Sequence, residues 1–338
     1  MDIFPLCALC APCAPCAPCA PEGTEGTEGA EGTCAPEGIA HFDPTLTVDL
    51  EDPRAVLAAV DAILQQRFGP GYGFPLLEQA VSDLARAFRG EYPGLLRCDT
   101  YYHDLRHALD SGLAMARLLD GQAETTRPQA PEHIDGEHAL LGVLLALYHD
   151  IGLLRRNEEA HLQGAQLTPV HEARGIEFMR DYLSRTSLAH LAEKAELIMI
   201  TRLVWHMPPD ISPLDRAISS LLGTADLLSQ LADRCYLEKC RDFLFIEFSA
   251  IGLAGSPDLT YPDPEALLKN TPNFYAYLLS QRIHKEYADA DRYMQIHFGG
   301  ECPYQLAIQR NFNFLERLLA NEELSSLRRL PQRVIDAK

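Results

Sequence analysis

The stretch GEHALLGVLLALYHDIGLL, residues 136–154, is apolar on almost every side. A helix with that pattern has no flank to offer to water and must be buried. It ends in the adjacent pair His149-Asp150, and an ionised carboxylate beside an imidazole is costly to bury unless something pairs with both. A divalent cation is one such partner, because neutral imidazole and carboxylate are both good ligands for zinc, manganese, iron or magnesium. A core histidine followed by a capping aspartate would satisfy the pair without any ion.

The segments around it read as further helices. DPRAVLAAVDAILQQRFG (52–69) opens on Asp-Pro, carries apolar residues at helical spacing and stops at glycine. FPLLEQAVSDLARAFRG (74–90), YYHDLRHALDSGLAMARLLDG (101–121), PVHEARGIEFMRDYLSR (169–185), LAHLAEKAELIMITRLVWH (188–206) and the long run from Ser212 to Phe248 repeat the periodicity. No alternating β-branched run bounded by turn residues is present, so the expected fold class is all-α, a helical bundle with a C-terminal helical extension. The break LAGSPDLTYPDPE suggests a division into residues 41–251 and a C-terminal helical subdomain, 252–338.

Residues 1–40 are of another kind. Cys-Ala-Pro triplets and then Glu-Gly-Thr triplets, without Lys, Arg or apolar periodicity, predict a disordered tail. Cys7, Cys10, Cys13, Cys16 and Cys19 fall at every third position, but interleaved prolines favour polyproline II, which would space them roughly 9 Å apart along one edge. That is too far for one zinc to collect them. Cys98, Cys235, Cys240 and Cys302 are scattered and predict reduced, buried thiols.

Charge narrows the partners. The 338-residue chain carries a formal net charge of −19, so it has no basic footprint for a nucleic-acid polymer or an anionic membrane. An anionic substrate would need local cations to reverse the field. No apolar run approaches the roughly 20 residues that span a bilayer, and the first residues lack the basic and apolar regions of a secretory signal, so a cytoplasmic protein is expected.

Five further residues stand out. His103 and His107 are four apart, which predicts that both project from one face of a single helical turn. Asp226 sits within a strongly apolar helix, where a lone carboxylate is unexpected, and His171 and His206 flank the interval between the His-Asp pair and Asp226.

His107, then His149-Asp150, then Asp226, in that order on a helical chain, resembles the HD superfamily of metal-dependent phosphohydrolases. YHDLRHA, residues 102–108, is similar to the Y-H-N-x-x-H-A signature of class I cyclic-nucleotide phosphodiesterases, with Asp104 in place of asparagine. That resemblance implies His103 as general acid and His107, His149, Asp150 and Asp226 as ligands of one divalent ion. HDIG, HEARG and WH also resemble the HD-GYP branch, in which His171 and His206 would be additional ligands of a second ion, although the chain reads MPPD where that branch carries GYP. Q-x-x-F in QRNF offers Gln309 as a substrate clamp, and Arg155 and Arg156 could contact phosphate. The expected function is hydrolysis of a cyclic nucleotide or related nucleotide phosphoester, a small-molecule substrate, by metal-activated water with one or two divalent ions (Mn, Fe, Zn or Mg). The alternatives are action on nucleoside mono- or triphosphates or guanosine tetraphosphate, and an HD-fold protein that binds without turnover.

Overall fold

In a computed structural model, residues 40–70, 74–329 and 331 are described; the Cys-Ala-Pro and Glu-Gly-Thr repeats lie outside them. The described residues are all-α: eleven α-helices joined by shorter 3-10 and π turns, with three isolated β-bridges and no strand. No described helix is long and apolar enough to cross a membrane.

Local chemistry fixes the helix starts. Asp52 caps α1 (Pro53–Phe68) by accepting from the Arg54 amide, with Pro53 pre-set for the first turn. α2 spans Phe74–Arg89. Asp104 caps α3 (Leu105–Thr125) and Asp135 caps α4 (Gly136–Tyr148), each through an amide three residues on. α5 (His171–Ser184) begins directly on a histidine, and Ser212 with Pro213 starts α6 (Pro213–Ala232).

The apolar α4 lies in the interior as its pattern requires, with only Glu137 and His138 short of full burial. It packs on α3, itself buried over most of its length between α1, α4, α6 and α10 (Arg292–His297). The long run from Ser212 is not one helix. It breaks after Ala232, where Asp233 accepts from the Cys235 amide and the Asn311 side chain donates to the Leu231 and Asp233 carbonyls. Short α7 (Tyr236–Lys239) and α8 (Phe245–Ala250) follow, joined by a π turn. The stretch expected as a helix before His206 is wound as a 3-10 segment over Ala189–Thr201.

C-terminal α9 (Pro264–Tyr277), α10 and α11 (Pro303–Ala320) do not build a core of their own. Leu268, Leu278, Met294, Tyr304 and Leu315 join the cluster that begins at Val48, and only Ala254, Tyr261 and Leu267 form a small satellite beneath the 253–265 loop. Gly121 shows how closely α10 approaches: a Cβ there would lie 1.9 Å from the Tyr293 carbonyl oxygen.

Candidate metal centre

Three elements converge where α3 begins, α4 ends and α6 passes its midpoint. Asp104 stops the chain before the helix and places His107 in the first turn of α3, with the His107 amide donating to the Asp104 carboxylate at 3.1 Å. His103 therefore precedes the helix instead of sharing a helical face with His107; capping by Asp104 overrides the simple spacing rule. The two rings are still neighbours, 5.8 Å between centroids.

His107 Nε2 lies 3.2 Å from His149 Nε2, 3.4 Å from Asp150 Oδ2 and 3.3 Å from Asp226 Oδ1. His149 Nε2 lies 3.1 Å from Asp150 Oδ2 and 3.5 Å from Asp226 Oδ1. Donor atoms around one ion with bonds of about 2.1 Å are separated by roughly 3.0 Å in an octahedron and 3.4 Å in a tetrahedron. The buried His107, His149 and Asp226 group could therefore hold a metal ion, with Asp150 beside both imidazoles.

Two further observations fit that donor set. His149 Nδ1 is 2.8 Å from the Ala146 carbonyl, so that nitrogen carries a proton and Nε2 is the ring nitrogen turned to the cluster, where Asp150 and Asp226 outweigh burial and raise the imidazole well above its ordinary value. Asp150 Oδ2 is buried and accepts no hydrogen bond although two imidazoles adjoin it. Burial alone would raise the Asp226 carboxyl, yet the His149 and His107 rings hold it well below the carboxylate range; Asp150 is lowered likewise. His107, which burial alone would lower, is pushed up to about 9 by Asp150 and Asp226. Two ionised, buried carboxylates thus draw positive charge into the cluster.

Asp150 has a second side. Its Oδ1 faces His171 Nε2 at 3.4 Å, and His171 Nδ1 lies 2.7 Å from the Thr168 carbonyl, so Nε2 is the ring nitrogen that His171 turns to the carboxylate. Glycine makes this approach possible. A Cβ at Gly152 would lie 2.0 Å from the His171 carbonyl oxygen.

His103 is held from behind. Its Nδ1 is 2.5 Å from Glu247 Oε2, and Glu247 Oε1 accepts from the amides of Tyr101, Tyr102 and His103. Burial works against charge on His103, but Glu247 and Asp150 outweigh it and raise the imidazole above its ordinary 6.5. Glu247 itself, though buried, is held below its usual range by His103. On the other flank, Gln230 donates to Asp226 Oδ1 at 2.5 Å and accepts from the Tyr102 hydroxyl at 3.1 Å, fixing the carboxylate. Neither Glu247 nor Gln230 was expected. The lone glutamate within FLFIEF and the four-residue spacing of Asp226 and Gln230 were the available signals.

The cluster opens on a cavity of about 540 Å³ lined by His103, His149, Asp150, His171 and Asp226. Arg202 is the guanidinium in that lining, and it is engaged with Glu172 and the Pro169 carbonyl.

Other expected site residues lie elsewhere. His206 is 74% exposed and bonded to Glu286, in the loop after the 3-10 segment, so the structure does not bring it to Asp150. Arg155 pairs with Asp99 and donates to the Leu162 carbonyl, while Arg156 pairs with Glu177 and lines a different cleft. Neither lines the cavity on which the cluster opens. Gln309 is exposed on α11, on the face away from Ile308 and Phe312.

A family model described as Npun_R2479-like matches residues 157–302. That interval holds His171, Asp226 and Glu247 but not His103, His107, His149 or Asp150. No curated protein matches the chain, and no solved structure does.

Proposed function

We propose that this chain is a metal-dependent phosphohydrolase that cleaves a small-molecule phosphoester. The observation that carries the reading is the pairing of a four-donor cluster, His107, His149, Asp150 and Asp226, with a histidine beside it that is buttressed by a carboxylate and is not part of the cluster. The donors are nitrogen and oxygen, which suits zinc, manganese or iron, and magnesium if water completes its shell. A bound divalent ion supplies Lewis acidity, lowers the pKa of water and offsets phosphoryl charge. With a net charge of −19, the chain has particular need of that offset.

The residues divide the remaining work. Glu247 holds the His103 proton at Nδ1, so the proton that can move is the one on Nε2. His103 then donates to the departing oxygen as the ester bond breaks, and Glu247 keeps the ring oriented and favours its protonated form. Gln230 and Tyr102 keep Asp226 in place. Asp150 faces the cluster with one oxygen and His171 with the other, so Asp150 and His171 would be the residues available to hold a second ion.

The test is elemental analysis of the purified protein combined with a substrate panel in added manganese: cyclic mononucleotides, which the YHDLRHA resemblance singles out, then cyclic dinucleotides, nucleoside mono- and triphosphates, guanosine tetraphosphate and simple phosphate esters. Less than one metal per chain together with no turnover would leave a binding protein as the better reading.

A further inference from the structure

The walls behind the cluster are apolar, and they continue into a second, more enclosed space. An annex of about 150 Å³ shares Leu203, Gln230, Tyr236, Leu244, Phe248 and Phe274 with the 540 Å³ cavity and extends beyond them to Cys240, Leu253, Tyr261 and Leu267. Two of its polar side chains are engaged within the protein. Thr271 donates to the Leu267 carbonyl, and Asn270 donates to the Tyr261 hydroxyl while accepting from Asn273. The Tyr261 and Phe248 rings stack across the satellite core, 5.8 Å between centroids. An apolar cavity of about this size takes one benzene-sized ring.

Charge and exposure point the same way. The one guanidinium in the cavity wall already faces Glu172, so the wall offers no spare cation for a di- or triphosphate. Val170 and Val204 are exposed where they line the cavity, and exposed Tyr101 and Ile246 adjoin His103 and Glu247. Those four are most of the large hydrophobic side chains that the described surface leaves exposed.

We infer that the substrate is a phosphoester of an apolar alcohol whose ring-sized group fills this annex while its single phosphoryl group meets the His-Asp cluster. The inference rests on the hydrolase reading for its reaction: water adds to phosphorus, the bond from phosphorus to the alcohol oxygen breaks, the alcohol leaves with the proton from His103, and the proton given up by the water restores His103, giving inorganic phosphate from a monoester. The mostly apolar wall of the annex suits an apolar ring better than the polar edges of a sugar and base.

The experiment uses the full chain loaded with manganese and compares benzyl phosphate, methyl phosphate and adenosine 3′,5′-cyclic monophosphate in wild type, Leu267→Phe and Thr271→Leu. Both substitutions fill the annex, and the second serves if the first fails to fold. A benzyl over methyl preference in kcat/KM on the order of a hundredfold, collapsing toward unity in the filled variant, is expected from burying a ring in a fitted apolar site. A ratio near one in wild type, a ratio unmoved by filling, or cyclic mononucleotide as the better substrate overturns it. If wild type hydrolyses none of the three, the hydrolase reading fails for these esters and the annex is judged on binding alone. Saturation-transfer NMR with benzyl alcohol then supports the annex if the signal is lost in the filled variant, and overturns it if wild type shows none.

Discussion

His103 Nδ1 and Glu247 Oε2 lie 2.5 Å apart, joining the residue before the α3 cap to one 144 positions later in α8. The contact raises His103 and lowers Glu247. A general acid works while protonated, so the alkaline limb of the pH-rate profile is expected above the ordinary 6.5. Glu247→Gln removes the charge that holds the proton, and the limb should move down. The same shift is readable without substrate from the pH titration of the His103 ring resonances. A His103 titration unmoved by Glu247→Gln would separate the two residues.

His103 and Asp150 should respond differently to truncation. His103→Ala is expected to lower turnover by roughly 10²–10⁴-fold with metal content unchanged, because the ring is a neighbour of the donor cluster and not a member of it. Asp150→Ala should lose both. His206→Ala, at an exposed side chain paired with Glu286, should leave metal content and turnover as they are. Elemental analysis beside kinetics checks all three, and equal metal loss in the first two would make His103 a ligand.

Gly152 lets α5 approach the end of α4. In Gly152→Ala the new Cβ meets backbone atoms, the His171 carbonyl oxygen at 2.0 Å and the Gly175 nitrogen at 2.8 Å, so α5 has to shift as a body. Overpacking of this kind costs about 1–3 kcal/mol. The expected result is a lower melting temperature with zinc affinity retained, since His107, His149 and Asp226, the group that could hold the ion, stand outside α5. Calorimetric zinc titration of the variant tests this.

Asp43 and Arg117 form a buried pair at 2.8 Å that ties the segment before α1 to the middle of α3. Burial would raise the Asp43 carboxyl, but Arg117 and the hydrogen bonds from Thr45 and Val48 leave it lowered. A depressed folded pKa contributes stability above the unfolded value, ordinarily 3.8, and that contribution is lost as pH falls through the folded value. Asp43→Asn leaves Arg117 with an uncompensated charge and should cost about 3–5 kcal/mol near neutral pH, with a shallower fall in stability on acidification. Denaturant melts at several pH values give both numbers.

Much of the fold is legible in the sequence because its determinants are local. Asp52 with Pro53 marks the start of α1, and α4 announces its burial by being apolar all round, whereas the cap at Asp104, which sets His103 outside α3, shows only in the structure. Asp226 is legible for a related reason, as a carboxylate in a helix that otherwise has none at its centre. His206 shows where the reading stops. Its spacing resembles that of a ligand, but the loop that carries it runs to Glu286. Arg155 and Arg156 likewise stand close to Asp150 in sequence, and the turn after Leu154 takes them away.

What the sequence alone determined is the all-α class, the burial of α4 and the residue types able to hold a cation, all consequences of periodicity and side-chain chemistry within a few turns. Only the tertiary structure decided which of them meet. Partners such as His103 and Glu247, or His107, His149 and Asp226, are brought together by helices packing across the core, and that packing depends on shape at contacts such as Gly152 against His171. The annex is likewise a property of packing: it is the space that α6 to α9 leave between them, and no single stretch of the chain encodes it.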